Sequence, residues 1–298
     1  MPSILKKIYQ VLPFKRPLFE AVRAVYVPPK FLYRHLFFEG KFKVRVDGGF
    51  FYMNHYNTHG FVIEDDLFWQ GLGRGREGVS LQLWQKLCKE AQVIFDLGAN
   101  TGLYSLVAKT VNPSSRVFGF EPIKRTFDRY KANCELNGFD VRCEWMAVSD
   151  QVGEAVIYDV PLANNFSATL NKTFSDTRHA VHADSRFQTR VKTETLANYI
   201  ELHRLPRVDL MKVDVEMHEP EVLRGMGPYL KRYQPTLLIE IMTNEIGRGV
   251  EEVIRECGYR YFSINESGQV EPKRSIEAIN ESNYLICTPA VAGRLGLA

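Results

Sequence analysis

From residue 91 onward, short apolar runs alternate with stretches of helical spacing. V-I-F-D-L (93–97), R-V-F-G-F (116–120), V-R-C-E-W (141–145), V-D-L-M-K-V-D-V (208–215) and T-L-L-I-E-I (236–241) read as strands. Helical patterns at Leu103–Thr110, Lys124–Asn137, Pro220–Arg232 and Glu245–Cys257 lie between most of them. Strands that are nearly continuous Val, Ile and Leu, joined by helices, predict a parallel sheet covered on both faces. The end of the chain differs. Y-R-Y-F-S-I-N and N-Y-L-I-C-T have no helical pattern between them and predict an antiparallel pair. The expected fold class is therefore α/β: a Rossmann-like, mostly parallel sheet with an antiparallel C-terminal edge.

The N-terminal third has another texture. K-F-K-V-R-V, G-F-F-Y-M and G-F-V-I alternate apolar and polar residues between Lys41 and about Ile63, which predicts a small antiparallel meander. G-L-G-R-G-R-E-G reads as a loop, and Val79–Lys89 as a helix with Leu81, Trp84, Leu87 and Cys88 on one face. Ile4, Ile8 and Leu12, then Leu18, Val22 and Val25, recur at helical spacing among prolines, which predicts two short amphipathic helices. The expected organisation is a helical arm over 1–40, a meander and helix over 41–90 packed on the core, and a main domain over 91–298.

Charge adds one feature to this picture. The 298-residue chain carries a net +3, too little to argue for nucleic acid. Residues 1–36 hold seven Lys and Arg against Glu20, a net +6, so the remainder carries +3 − 6 = −3. A basic amphipathic arm suits either packing on the domain or peripheral contact with an anionic membrane. Five scattered cysteines form no C-x-x-C pair, and no apolar run approaches the ~20 residues of a membrane span. A cytoplasmic protein is expected, possible membrane contact being confined to the arm.

The first strand ends in D-L-G-A-N-T-G. In a doubly wound sheet, ligands bind at the carboxyl ends of the strands beside the switch point. Asp96, Gly98, Ala99, Asn100 and Gly102 stand at that turn. The pattern is G-x-x-x-G rather than G-x-G-x-x-G, and no G-K-[ST] follows, which disfavours a dinucleotide and excludes a P-loop. Asn100 would crowd a pyrophosphate, and Asp96 would repel one but suit a cationic aminoacyl group. Glu121, followed by Pro122, ends the second strand where a carboxylate meets both ribose hydroxyls. Met146 and Ala147 would flank an adenine. S-adenosylmethionine satisfies all of these. Singly, the glycines could instead only shape a turn, and Glu121 could only cap a helix.

V-I-F-D-L-G-A-N-T-G-L-Y-S, F-G-F-E-P, A-V-S-D, M-K-V-D-V-E-x-H-E-x-E-V-L-R-G and L-L-I-E-I occur in this order. Over residues 77–290 the chain thereby resembles the FkbM-type methyltransferases. The resemblance implies methyl transfer from S-adenosylmethionine, usually to a hydroxyl of a sugar or other secondary metabolite. It implies cofactor contacts at Asp96, Gly98, Asn100, Gly102 and Glu121. Asp214, Glu216, His218 and Glu219 fall on the family's acidic segment, and Glu240 on its late strand. The family usually has glycine where this chain has Met217, whose side chain would narrow or distort the acceptor pocket.

An alcohol is a poor nucleophile until its proton is accepted or a metal polarises it. Asp214, Glu216 and His218 alternate at the end of the fourth strand, so an extended segment would put them on one face. The expected catalytic set is Asp214, Glu216, His218 and Glu240, with Asp214 toward the cofactor and His218 or Glu216 taking the proton. Their spacing is not diagnostic of a metal, and none is assigned. His55, His59, Tyr52 and Tyr56 could line an acceptor site or belong to a polar loop. Asn165 and Ser167, in a polar stretch over 159–190, are further candidate contacts. Competing readings are a protein or RNA methyltransferase, an idle cofactor-binding scaffold recruited by the arm, and, more distantly, a nicotinamide dehydrogenase. The acceptor expected is a small molecule or glycan.

Overall fold

The structure, a computed structural model, describes residues 9, 13–56, 62–75, 77–159, 170, 187–278 and 283–297. In chain order its N-terminal elements are α1 (Lys15–Val25), α2 (Lys30–Tyr33), β1 (Gly40–Val46), β2 (Gly49–His55), α3 (Val62–Gln70) and α4 (Gly78–Cys88). The first half of the main domain follows with β3 (Val93–Leu97), α5 (Leu103–Val111), β4 (Arg116–Phe120), α6 (Lys124–Leu136) and β5 (Val141–Glu144). Three strands, β6 (Ala147–Val148), β7 (Gly153–Asp159) and β8 (Phe187–Glu194), then form a separate small sheet. The remainder is α7 (Leu196–Leu202), β9 (Leu210–Val213), α8 (Glu219–Arg224), α9 (Pro228–Tyr233), β10 (Thr236–Glu240), α10 (Asn244–Ile254), β11 (Arg260–Asn265), β12 (Gln269–Lys273), β13 (Asn283–Cys287) and α11 (Pro289–Arg294).

The large sheet has the order β12-β11-β13-β10-β9-β3-β4-β5. Strands β10, β9, β3, β4 and β5 are parallel, and β13 pairs antiparallel with both β10 and β11. The chain runs outward from β3 through β4 to β5, then crosses back to β9. The switch point thus lies between β3 and β9, where a ligand cleft is expected. This is the Rossmann-like arrangement of the S-adenosylmethionine-dependent methyltransferases, with its antiparallel edge extended by β12, which the sequence pattern did not single out.

Alternation along the strands separates two faces. Phe95, Met211, Ile239 and Ile286 pack on one face with Tyr199, Leu223, Val250 and Ile254. Ile94, Leu210, Leu238 and Leu285 pack on the other with Phe42, Phe51, Phe68 and Trp84. That second core runs from Phe19 to Ala292, so the N-terminal segment and the sheet share one apolar interior. The same parity sends Lys212, Glu240 and Asn283 to this face, at the cleft end of their strands.

Two expected elements change. Val62 and Ile63, expected in a third meander strand, instead begin α3, whose first turn carries Glu64 and Asp65, and the rest of that expected strand falls outside the described residues. The helix expected over Pro220–Arg232 is two, α8 and α9, broken where Gly227 takes a positive φ of 53°. His55 is core rather than site. Its Nδ1 lies 2.9 Å from the Phe38 carbonyl, its Nε2 lies 2.9 Å from Asp65, and its ring stacks on Phe38. The Tyr52 ring lies against Lys41, and the Tyr56 ring against Arg129. His59, Asn165, Ser167 and the helix expected around Ile4, Ile8 and Leu12 fall outside the described residues.

Candidate active site

A cavity of about 650 Å³ lies at the switch point. Gly98, Ala99, Asn100, Glu121, Pro122, Met146 and Ala147 line one end, and Lys212, Asp214, Glu216, His218 and Glu240 the other. A third wall comes from the N-terminal segment through Ile63, Leu67, Leu72 and Glu77.

The loop after β3 is shaped by close approach. Gly98 has φ +78°, and a Cβ there would stand 1.8 Å from the Asp214 carbonyl oxygen. Any side chain at 98 would thus push β3 away from the end of β9. The Gly98 and Ala99 amides donate to the Phe120 carbonyl at 3.0 and 2.9 Å. Asn100 follows at φ +50°, a left-handed conformation that Asn tolerates better than most residues. Its amide donates to Glu121 Oε2 at 3.0 Å, and Glu121 Oε1 accepts from the Ile123 amide at 2.8 Å. Two backbone amides therefore fix the Glu121 carboxylate against the cavity. The Asn100 side-chain oxygen is buried without a hydrogen-bond partner.

Two expected cofactor contacts are placed elsewhere. Asp96 does not line the cavity. Its Oδ2 accepts from the Ser105 amide at 2.9 Å and the Ser105 hydroxyl at 2.6 Å, capping α5. Burial pushes its pKa up to about 6, with Ser105 opposing. An aspartate at this strand end serves the helix N-terminus because the free N–H groups there lie within its reach. Gly102 is also outside the lining: its φ is +92°, and a Cβ would meet the Tyr130 ring at 2.3 Å. It is a packing glycine.

At the other end, one carboxylate oxygen each of Asp214, Glu216 and Glu240 lies within 4.8 Å of the others. Asp214 pushes the Glu240 carboxyl up to about 9, and burial and Glu216 add to it. Lys212 sits in the middle of this acidity, fully buried, with Nζ 3.0 Å from Asp214 Oδ2 and 5.1 Å from the Tyr104 ring centre. Burial alone would lower its pKa. The charges of Asp214, Glu77 and Glu240 outweigh that and raise it. Glu77, pushed up by burial, accepts from the Tyr104 hydroxyl at 2.7 Å.

The turn after β9 explains the rest of the acidic segment. Glu216 and Met217 take φ of +55° and +75°. Glycine is easiest at the second of these positions. Met217 is buried in the core behind the turn and does not line the cavity, so it does not narrow the pocket as expected. Glu219 Oε1 accepts from the Val215 and Met217 amides at 3.3 and 3.2 Å and holds the turn. His218 lines the cavity, but its Nε2 is 2.9 Å from the Ser149 hydroxyl and its Nδ1 is 3.6 Å from Glu221. Burial lowers its pKa, keeping the ring neutral at pH 7.

Sequence reasoning missed Lys212, Glu77, Tyr104, Glu266 and Asn283. Lys212 had a signal: a lysine in a strand buried on both faces must be paired. The others meet the cleft only through long-range packing.

Comparison with known proteins follows the same direction. Residues 96–261 match the methyltransferase FkbM domain. Hexuronic acid methyltransferase AglP of Haloferax volcanii is 27% identical over 184 residues, covering 62% of this chain and 70% of that protein. Methyltransferase sdnD of Sordaria araneosa is 31% identical over 159 residues, 45% of this chain and 60% of its own length. The 31-O-demethyl-FK506 methyltransferase FkbM of Streptomyces tacrolimicus is 28% identical over 170 residues, 51% and 63% respectively. The chain thus spans somewhat less than two thirds of the last two.

Proposed function

The chain belongs to the FkbM family of S-adenosylmethionine-dependent methyltransferases, and from that premise we propose that it methylates a hydroxyl oxygen of a carbohydrate or secondary-metabolite acceptor. The observation that carries this reading is that one cavity joins the Glu121 loop to the carboxylates of Asp214, Glu216 and Glu240. The residues at the loop end fit the cofactor: a fixed carboxylate suits two ribose hydroxyls, and the unpartnered Asn100 oxygen can accept a further donor. Ile123, Met146, Ala147 and Ile157 supply an apolar wall for a purine.

S-adenosylmethionine, when bound, supplies an electrophilic methyl group on a sulfonium. The chain's own residues position the acceptor and take its proton. The acidic end of the cavity attracts the donors of a polyol and gives a carboxylate to receive the hydroxyl proton as the new C–O bond forms. We assign that role to the carboxylate cluster rather than to His218, whose ring nitrogens already face Ser149 and Glu221. Relatives whose printed names specify a hexuronic acid and a demethylated FK506 support an oxygen acceptor.

Labelled methyl transfer over a panel of glycans, metabolites, protein and RNA tests the acceptor class. Transfer confined to protein or RNA would overturn it, and bound S-adenosylhomocysteine without any turnover would indicate a scaffold. Asp214→Asn is expected to lower turnover by about 10²-fold or more with S-adenosylhomocysteine affinity nearly unchanged. His218→Ala should cost less than roughly tenfold. The reverse ranking would return the base to His218.

The arm supports a second proposal. Phe14, Leu18, Val25 and Phe31 are 80, 60, 88 and 63% exposed, an unusual apolar density beside so many basic residues. No described helix is long and apolar enough to cross a membrane. We infer that the arm rests on an anionic lipid surface. The protein should sediment with phosphatidylserine vesicles, and Phe14→Ser with Val25→Ser and Phe31→Ser should reduce partitioning at least about tenfold. Equal sedimentation of both forms would refute it.

A further inference from the structure

We propose that Asp214, Glu216 and Glu240, together with the side-chain oxygen of Asn283, form a binding site for one divalent cation of the magnesium or manganese class. The cation's suggested role, holding the acceptor's oxygens, rests on the methyl-transfer reading above. Its binding does not.

The first argument is convergence. The three acids come from the end of β9, the turn after it and the end of β10, yet each brings an oxygen within 4.8 Å of the others. Oxygens bound to one such cation at 2.0–2.1 Å stand at most about 4.2 Å apart, so only a small closure separates the observed set from a ligand shell. Like charges gathered this closely repel unless something positive lies among them. Lys212 supplies one positive charge, and its ammonium is directed to Asp214 Oδ2, 3.0 Å away. Lys212 has the position of an outer partner that orients a ligand.

The second argument is independent of the acids. Asn283 stands directly across from Glu240 in the antiparallel register of β10 and β13, so both side chains leave the sheet on the same face. It lines the same cavity, is only 7% exposed, and its Oδ1 has no hydrogen-bond partner. A buried amide oxygen without a donor is unfavourable, because it has given up its hydrogen bonds to water and gained none in return. A cation held by the oxygens that share this cavity would give it the partner it lacks.

Donor chemistry selects the ion. Four oxygens with no imidazole or thiolate suit a hard cation and disfavour zinc. The cluster borders open cavity, so coordination positions stay available for water or for two oxygens of an acceptor, which a cation would fix and polarise.

The full chain, stripped with chelator and saturated with S-adenosylhomocysteine, is titrated with Mn²⁺ alone, and the free ion is followed by electron paramagnetic resonance. One equivalent should be bound. Glu240→Gln and Asn283→Leu should each weaken binding at least about tenfold while S-adenosylhomocysteine affinity, measured by calorimetry on the same samples, stays unchanged. Absence of Mn²⁺ binding up to about 1 mM would overturn the proposal, as would binding untouched by both substitutions. Mutual exclusion of Mn²⁺ and S-adenosylhomocysteine would also overturn it, assigning the acids to the cofactor's ammonium group. In each of those cases retained S-adenosylhomocysteine binding leaves the methyltransferase reading standing.

Discussion

Glu121→Ala is expected to weaken S-adenosylhomocysteine binding by more than about tenfold in calorimetry. Two effects act in the same direction. A carboxylate that accepts from ligand hydroxyls contributes about 1.5–3 kcal/mol per bond, and 1.4 kcal/mol is already tenfold. The same carboxylate also ties the Asn100 amide at 3.0 Å and the Ile123 amide at 2.8 Å, so its loss frees the loop that forms the cavity floor. Glu121→Gln separates the two, because one amide oxygen can still accept while the charge is gone. It should fall between wild type and Ala. Affinity within twofold of wild type for Glu121→Ala would sink the ribose assignment.

Lys212→Met should be the most destabilising single substitution at the site. The side chain is 2% exposed and 3.0 Å from Asp214, with Glu77 and Glu240 close enough to raise its pKa. Methionine matches its length but leaves a partly buried acid cluster without its counter-charge. Removing one partner of a buried pair costs about 3–5 kcal/mol, which urea unfolding would resolve. The pH dependence has a definite sign. Glu77 and Glu240 already have pKa values raised above those of an unfolded chain, and loss of Lys212 raises them further. Carboxyls of this kind favour the folded state when protonated and lose that contribution as pH rises toward their folded pKa. Because Glu240 already holds its proton up to about pH 9, its part of the Lys212→Met deficit should stay level from about pH 5 to about pH 8 and grow as pH rises past about 9. A deficit below about 1 kcal/mol at pH 8 would show that Lys212 is not the counter-charge.

Much of the architecture was legible in the chain. The five parallel strands, their helices and the antiparallel edge follow from periodicity, because a strand covered on both faces has no choice but to be apolar along its length. The loop G-A-N-T-G and Glu121 could be placed at strand ends for the same reason. Roles were less legible than places. Asp96 was expected to meet the cofactor, but Ser105 captures its carboxylate locally. Gly102 was expected to contact the cofactor, but the space it keeps is for Tyr130. Val62 and Ile63 continued an alternating pattern by accident, since two residues fit a strand or a helix equally well.

By itself the sequence determined the sheet, the switch point and which acids lie near it, since these depend on local periodicity and on the order of strands. Tertiary structure alone decided which side chains share the cavity. Asn283 meets Glu240 only through the β10–β13 register, 43 residues along the chain (283 − 240). Glu77 reaches Lys212 only because the N-terminal segment packs on the face to which Leu210, Leu238 and Leu285 point. Contacts of this kind carry no local periodicity. They are set by how separate elements bury a common apolar surface, and the charge balance of the site is settled only after that packing has brought its members together.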